Sequence, residues 1–261
     1  MFHRHAFAVL ALAGASVAVQ AHDIVLVPQA GGGLAVRYGH PQDWQVLEKN
    51  KLIDLQAYDG QATARDLRAA MKPNGLAYAL PANVVAPNKP LLLAARYDNG
   101  LWARLPKMGD AKPAPVNTTR LMLPAAELVT NNLKFAKALV ATAGDEGLYK
   151  RQLGHLLELV PQSNPALLKP GEPLDVLVLL QGKPLPGAGI EVGNLVDAVP
   201  EDQIRRYTTD AAGIARVTLR ARGVNLLGVD WEMPNDGSLG EASRQIGADK
   251  FVLVATYTFL R

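Results

Sequence analysis

The sequence contains no cysteine and very few serines. The absence of cysteine excludes disulfide scaffolds, iron–sulfur clusters, thiolate metal sites and cysteine nucleophiles. Beyond residue 21 the serines are Ser163, Ser238 and Ser243, and none of them lies in the Gly-x-Ser-x-Gly sequence of a nucleophile elbow. A serine hydrolase is therefore disfavoured, and any bound metal must use nitrogen or oxygen ligands.

A strong charge of either sign is also lacking. The chain has 27 lysines and arginines against 24 aspartates and glutamates, a formal net charge of +3. This balance provides no electrostatic footprint for nucleic acid. Sequence patterns for nucleotide phosphates, EF-hand calcium sites and His-Glu-x-x-His zinc sites are absent as well. We therefore expect a protein that binds no nucleic acid and is not an enzyme.

The first 21 residues have the pattern of a cleaved secretory signal. Arg4 precedes a run of apolar and small residues, which ends in Val19-Gln20-Ala21, the small-x-small sequence that signal peptidase recognises. The run is shorter than the ~20 residues that a membrane-spanning helix needs. We expect export through this signal, a mature chain that begins at His22, and no membrane span in that chain.

Short apolar segments separated by turn residues indicate an all-β fold. In the segment 213–220, Ala215 and Val217 alternate with Arg216 and Thr218, the pattern of a strand with one buried face. Strands with one apolar face require a second sheet to cover them, which predicts β-sandwich packing. The predicted strands are Ile24–Val27, Leu34–Tyr38, Leu52–Tyr58, Leu91–Tyr97, Leu174–Leu180, Ile214–Leu219, Val224–Val229 and Phe251–Leu260.

One segment has a different pattern. Residues Ala125–Ala141 place Leu128, Leu133, Ala136, Leu139 and Val140 near helical spacing, followed by Gly144 as a stop signal, which predicts the only sizeable helix. A fresh set of strands follows it. We therefore predict two domains, residues 22–147 and residues 148–261, with the helix in the first.

Three histidines beyond the signal are candidate metal ligands. Cleavage after Ala21 would let His22 offer both its α-amine and its ring to one ion. His40 ends a strand with the same parity as Tyr38, and His155 lies in the predicted first strand of the second domain, from which it could reach an interdomain cleft. Amine and imidazole donors suit Ni(II), Co(II), Cu(II) or Zn(II). The alternative is that each histidine is an ordinary structural residue.

Several segments resemble the periplasmic NikM-like family, domains of poorly defined function associated with nickel and cobalt transport. The resemblance rests on the order of the following segments along the chain: Ala21-His22-Asp23, Tyr38-Gly39-His40-Pro41, residues 97–102, residues 133–139, residues 157–161, residues 182–188, residues 209–213 and residues 255–259. It implies two immunoglobulin-like β-sandwich domains, location in the periplasm and a role beside metal uptake. It also implies that His22 and His40 match suspected metal-binding positions, and that His155 matches more loosely.

Three functions remain open on this evidence. The leading interpretation is a periplasmic accessory protein that captures or delivers Ni(II) or Co(II), with Cu(II) as the other candidate ion, and whose partner is a metal-uptake permease or outer-membrane receptor. The second is a β-sandwich module that binds a protein partner without metal. The third is a copper-dependent oxidase with an N-terminal histidine brace, in which His22 and another histidine supply the nitrogens.

Overall fold

The computed structural model is almost entirely β-structure, with 56% strand and 6% helix, which confirms the predicted all-β sandwich class. The described residues are 22–29, 31–60, 63–85, 90–107, 114–140, 147–169, 171–195, 204–219, 223–239 and 247–261. The predicted signal peptide, residues 1–21, lies outside them.

Eighteen strands occur in the described part of the chain. The first nine are β1 (Asp23–Pro28), β2 (Leu34–His40), β3 (Asp43–Gln45), β4 (Leu52–Tyr58), β5 (Arg65–Asp66), β6 (Lys72–Asn74), β7 (Ala77–Leu80), β8 (Leu91–Arg104) and β9 (Val116–Asn117). The others are β10 (Leu128–Val140), β11 (Leu157–Pro161), β12 (Pro173–Leu180), β13 (Lys183–Pro184), β14 (Gly189–Asn194), β15 (Arg205–Thr208), β16 (Ile214–Thr218), β17 (Val224–Pro234) and β18 (Lys250–Leu260). One α-helix, Ala82–Val85, and three 3₁₀ turns, Lys49–Lys51, Arg68–Ala70 and Leu148–Lys150, complete these elements.

The strands form three sheets. The first sheet has the order β1-β2-β7-β6, with β3 added beside β2. The central sheet has the order β15-β14-β17-β18-β10-β8-β4-β5, with β9 beside β8. The third sheet consists of β11, β12 and β13, with β16 paired to β12. Neighbouring strands are mostly antiparallel, but β10 and β18 are parallel.

The first and third sheets cover opposite faces of the central sheet. Successive residues of a strand point to opposite faces. On β10, Ala136 belongs to a core that it shares with Leu26 of the first sheet, whereas Phe135 belongs to a core that it shares with Val176 of the third sheet. We call these the first core and the second core. The molecule is therefore layered, with the central sheet buried on both sides along β10.

The predicted helix over Ala125–Ala141 is wrong, because residues Leu128–Val140 form the strand β10. Nearly every residue of its second half is buried, since both faces are covered by other sheets. A strand that is buried on both faces loses the alternation of apolar and polar residues, and its apolar run then matches helical spacing by chance. The α-helix of the described residues, Ala82–Val85, was not predicted at its position.

The eight predicted strands are confirmed, and several of them extend beyond the predicted residues. Strand β16 shows the predicted alternation, with Ala215 and Val217 buried and Arg216 exposed. The central sheet contains strands from both predicted domains, joined by β10 and β18. The division at residues 147 and 148 stays a prediction. No helix within the described ranges has the length and apolar character needed to cross a membrane.

Candidate functional site

Two antiparallel strands bring His22 and His40 together. His22 directly precedes β1, and His40 is the last residue of β2. Because Asp23 pairs with Gly39, the residue before Asp23 lies opposite the residue after Gly39. The centroids of the two imidazole rings are 5.4 Å apart. Strand pairing therefore creates a two-histidine cluster at one end of the first sheet.

A glycine allows the next strand to fold back onto this end. Gly39 has φ of +118°, in the left-handed region that favours glycine. A Cβ atom at this position would overlap the carbonyl oxygen of Asp43. Strand β3 thus pairs with the end of β2, and Asp43 comes to lie opposite His40. The absence of a side chain at Gly39 is what lets a second carboxylate approach the histidines.

Each histidine has a carboxylate nearby. The Nδ1 atom of His40 is 4.0 Å from Oδ2 of Asp23, and Nε2 of His22 is 3.9 Å from Oδ2 of Asp43. These separations exceed hydrogen-bonding distance, so the carboxylates act on the rings through their charge. The cluster is partly open, with 37% of the His22 side chain and 26% of the His40 side chain exposed.

The donors present do not yet form a complete metal site. Within the part of the chain that the structure describes, no group of three or more histidine, aspartate or glutamate side chains is arranged to hold a metal ion. Cleavage after Ala21 would add the α-amine of His22 to the two imidazoles, and this cleavage stays a prediction. Two imidazoles and one amine are a donor set that divalent copper and nickel favour.

Asp23, which is partly buried, and Lys134, which is almost completely buried, interact through their charges near the histidines. Burial raises the pKa of Asp23 to about 7, and the positive charge of Lys134 opposes this rise. Burial also lowers the pKa of Lys134 to about 8, while Asp23 and Asp230 favour its charged form. The Lys134 side chain lies in the middle of β10 with only 1% of its surface exposed. Its Nζ atom has no hydrogen-bond partner among the described residues.

Tyr38 lies between the histidine cluster and the first core. Its ring centroid is 5.7 Å from that of His22 and 5.1 Å from that of the buried Tyr97. Burial, followed by the charge of Asp23, raises the pKa of Tyr38 to about 12. The phenol therefore stays protonated at neutral pH and forms a neutral wall of the site.

A cavity of about 280 Å³ opens beside His22 and Tyr38. Lys134 and Arg104 contribute positive charge to its lining, and Glu232 contributes negative charge. The other lining residues are apolar or uncharged polar: Asn99, Trp102, Pro115, Leu128, Thr130, Asn132 and Val252. The cavity is thus a mainly apolar space with a few charged groups, which is the usual character of a small-molecule site.

The structure does not bring His155 to the other two histidines. Lys134 of β10 pairs with Tyr97 of β8. The side chain of the adjacent Phe135 points to the face of the central sheet opposite to that of Lys134. His155 packs against Phe135 with ring centroids 5.3 Å apart. It precedes β11, which begins at Leu157, instead of lying within that strand as predicted. Burial lowers the pKa of His155 to about 4, so its ring is neutral.

Four charged residues near these histidines were not singled out from the sequence. Asp23 and Asp43 could have been suspected, since each is close in sequence to a candidate histidine. Lys134 and Lys137 lie within the segment predicted as a helix, and both are buried in the strand that the segment forms. No pattern of the sequence distinguishes a buried lysine from an exposed one when the element itself is wrongly assigned.

The fold and the two-histidine cluster define a β-sandwich module, and comparison with known families gives one match. Residues 19–233 match the model of DUF4198, described as a domain of unknown function. The chain belongs to this family. Its description mentions neither nickel nor cobalt, so the similarity to NikM-like proteins stays a prediction. No curated protein matches the chain.

Proposed function

We propose that this protein is a periplasmic accessory protein that binds a transition-metal ion through His22 and His40 and presents it to an uptake system. The ion is Ni(II) or Co(II), with Cu(II) as the other candidate. The observation that carries the proposal is the pairing of β1 with β2, which sets the two imidazole rings 5.4 Å apart. No reaction is assigned to the site.

The distance between the rings suits a shared ion. Metal–nitrogen bonds of about 2.0–2.1 Å place two ligating nitrogens at most about 4 Å apart. Ring centroids at 5.4 Å allow one nitrogen of each ring to reach such a position by side-chain rotation. Both side chains are partly exposed, whereas Nε2 of His40 is itself buried, so a shared ion requires the His40 ring to rotate. The α-amine that cleavage after Ala21 would create is the third donor of the proposal.

The neighbouring carboxylates support the cation in two ways. Asp43 and the ionised form of Asp23 supply negative charge within about 4 Å of the rings, which lowers the energy of a divalent ion there. A carboxylate beside a metal-binding imidazole also orients the ring and increases its basicity. In this proposal Asp23 orients His40 once its Oδ2 atom, now 4.0 Å from Nδ1, moves within hydrogen-bonding distance on metal binding.

Calorimetric titration tests the proposal. Ni(II), Co(II) and Cu(II) are each titrated into the exported protein, whose N-terminal residue is determined by intact-mass measurement. The same titrations use His22→Ala, His40→Ala and a protein with one extra residue before His22. We expect each change to weaken binding by about tenfold or more, the usual effect of losing a ligand or its support. His155→Leu is the matched control, because His155 lies on the other side of the central sheet.

Two outcomes contradict the proposal. If the two histidine variants bind these ions as the unmodified protein does, the cluster is structural and the protein-interaction interpretation gains support. An N-terminus upstream of His22 removes the α-amine from the donor set and with it the chelate. Oxygen consumption by the copper-loaded protein in the presence of a reductant would instead indicate the histidine-brace oxidase.

A further inference from the structure

We propose that the cavity beside His22 is a binding site for a small organic carboxylate, whose anionic group is held by Lys134. This site adjoins the two-histidine metal site, since His22 also lines the cavity. The anion is held by Lys134 and not by a bound ion.

The surroundings of Lys134 carry the inference. Transfer of an ammonium group out of water is unfavourable unless charge and hydrogen bonds compensate for it. Lys134 is 1% exposed, and its Nζ atom has no hydrogen-bond partner in the described ranges. It lines the cavity. The acceptors that this ammonium lacks within the protein can therefore come from a ligand in the cavity.

A second lysine on the same strand shows that this lack of acceptors is specific to Lys134. Lys137 is also buried, but its Nζ atom donates to three acceptors. These are the carbonyl oxygens of Arg151 at 2.9 Å and Leu159 at 3.0 Å, and a carboxylate oxygen of Glu158 at 2.8 Å. The fold thus satisfies one buried lysine of β10 fully and leaves the Nζ atom of the other, a residue of the cavity lining, without an acceptor in the described ranges.

The charges around the cavity favour an anion. Asp23 and Asp230 attract Lys134 through space, but neither forms a hydrogen bond with it. Glu232 lines the cavity, and its charge is compensated by Lys250 at 3.2 Å. Arg104 adds a second cation to the lining. A carboxylate would accept hydrogen bonds from Lys134, and bonds between two charged groups are the stronger kind.

The rest of the lining selects an organic acid over an inorganic anion. Trp102, Leu128 and Val252 provide apolar surface opposite the charged groups. The indole of Trp102 is held in place because its Nε1 atom donates to the carbonyl oxygen of Asn99 at 3.1 Å. A volume of about 280 Å³ lies at the lower end of the usual range for ligand pockets. An acid with a small aromatic or aliphatic body fills this space, whereas phosphate or sulfate leaves the apolar wall uncovered.

The test compares benzoate with benzamide, a neutral molecule of nearly the same shape. Both are titrated calorimetrically into exported protein that has been treated with a chelator to remove metal. We expect benzoate to bind with a dissociation constant below millimolar and benzamide to bind about tenfold more weakly or not at all. Lys134→Met keeps the aliphatic length and removes the charge, and it should weaken benzoate binding by about tenfold or more. Lys72→Met, a change of an exposed lysine on β6, is the matched control and should leave binding unchanged.

Folding of the variant is measured separately. Lys134→Met loses no hydrogen bond of the described residues but removes a positive charge that favours the ionised form of Asp23, so its melting temperature is measured and the ligand titrations are made well below it. The proposal is overturned if benzoate and benzamide bind equally, if neither binds at millimolar concentration, or if Lys134→Met binds benzoate as well as the unmodified protein. The comparison of the two ligands on unmodified protein needs no variant.

Failure of this inference and failure of the metal proposal give different results. His40 does not line the cavity, so His40→Ala should bind benzoate normally while losing affinity for the metal ion. Lys134→Met should show the reverse. Loss of benzoate binding in His40→Ala would contradict the separation of the two sites.

Discussion

At the scale of single residues, the buried charge of Lys137 is compensated by a set of short contacts. Its Nζ atom forms an ion pair with Glu158, and both side chains are 2% exposed. Glu158 also accepts hydrogen bonds from the backbone nitrogens of Leu153 at 2.7 Å and Gly154 at 3.1 Å. The pair therefore links β10 to the segment that leads into β11. Its removal should loosen the contact between the central and third sheets.

We expect Lys137→Met to lower the free energy of unfolding by about 3 kcal/mol. The change leaves the carboxylate of Glu158 buried beside two backbone donors but without its counter-charge, and breaking a buried pair in this way is strongly destabilising. Urea unfolding followed by circular dichroism measures the effect.

The matched control for this change is Lys250→Met, which breaks an exposed pair. The ion pair of Lys250 with Glu232 has side chains that are 44% and 59% exposed. Exposed pairs contribute at most about 1 kcal/mol, so this variant should unfold nearly as the unmodified protein does. Equal losses in the two variants would show that the Lys137 pair is not the link between the sheets.

His155 should make stability depend on pH. Burial lowers its pKa to about 4 in the folded protein, from 6.5 in an unperturbed histidine. Between these values the unfolded chain binds more protons, so stability falls as pH is lowered through this window. We expect the unfolding free energy of the unmodified protein, relative to that of His155→Leu, to fall by about 2 kcal/mol from about pH 7 to about pH 4.5. Urea unfolding at the two pH values measures it.

A second group titrates in the same window with the opposite sign. The pKa of Asp23 is raised from 3.8 to about 7, so the folded protein binds more protons there and stability falls as pH rises. This contribution is common to the unmodified protein and His155→Leu, because the two residues lie on opposite faces of the central sheet. It cancels in the difference between them. A difference that does not change with pH would mean that His155 is accessible to protons in the folded state.

The candidate site could be predicted from the sequence only in part. His22 and His40 were found because one follows the expected cleavage point and the other ends a strand, and both features are local. Their proximity depends on the pairing of β1 with β2, which local pattern does not specify. The buried position of Lys134 depends on strands far apart in sequence, since Val254 and Tyr97 flank it. Such long-range pairing is what a single sequence leaves undetermined.

At the scale of elements, the alternation of buried and exposed residues is clearest in a strand with one covered face. Strand β16 alternates because only one of its faces packs against the second core. Strand β10 has the first sheet on one side and the third sheet on the other. Apolar and polar residues therefore do not alternate along it. Burial on both faces removes the alternation but does not alone cause an error, since Phe251–Leu260 is also buried on both faces and was predicted as a strand. The error at Ala125–Ala141 arose because its apolar residues also match helical spacing.

The turn from β2 to β3 should tolerate no side chain at Gly39. We expect Gly39→Ala to lower the free energy of unfolding by about 2 kcal/mol, because the new methyl group meets the Asp43 carbonyl oxygen and φ is positive. The displacement of β3 should also weaken metal binding at the adjacent His40. Thermal unfolding and Ni(II) titration measure the two effects.

Gly228 provides the matched control for this turn. It lies within β17, and a Cβ atom built there has no other atom within 4 Å. Gly228→Ala should therefore change the unfolding free energy by no more than about 0.5 kcal/mol. Equal stability of Gly39→Ala and Gly228→Ala would show that β3 moves aside at little cost, and that Gly39 does not determine the position of Asp43.

At the scale of the whole molecule, the central sheet joins the two halves of the sequence. Strand β18, at the end of the chain, pairs in parallel with β10 from Thr130 to Leu139. Thr256 donates a hydrogen bond from its hydroxyl to the carbonyl oxygen of Ile24 at 2.7 Å, so the chain's last strand also contacts its first. Leu92 and Leu139, from the first half, belong to the second core with residues of the second half. Each predicted domain thus completes the packing of the other.

This sharing predicts that neither half folds independently. Residues 22–147 alone would leave β10 as a long edge strand and would expose Leu92 and Leu139, while residues 148–261 alone would leave the parallel edge of β18 unpaired. We expect the intact protein to unfold in one transition, with calorimetric and van't Hoff enthalpies in agreement, and each separate fragment to lack a cooperative melt. Circular dichroism of the two fragments, alone and mixed, is the measurement. A cooperative melt of fragment 22–147 close to that of the intact protein would contradict this expectation and establish the division at residue 147 as a true domain boundary.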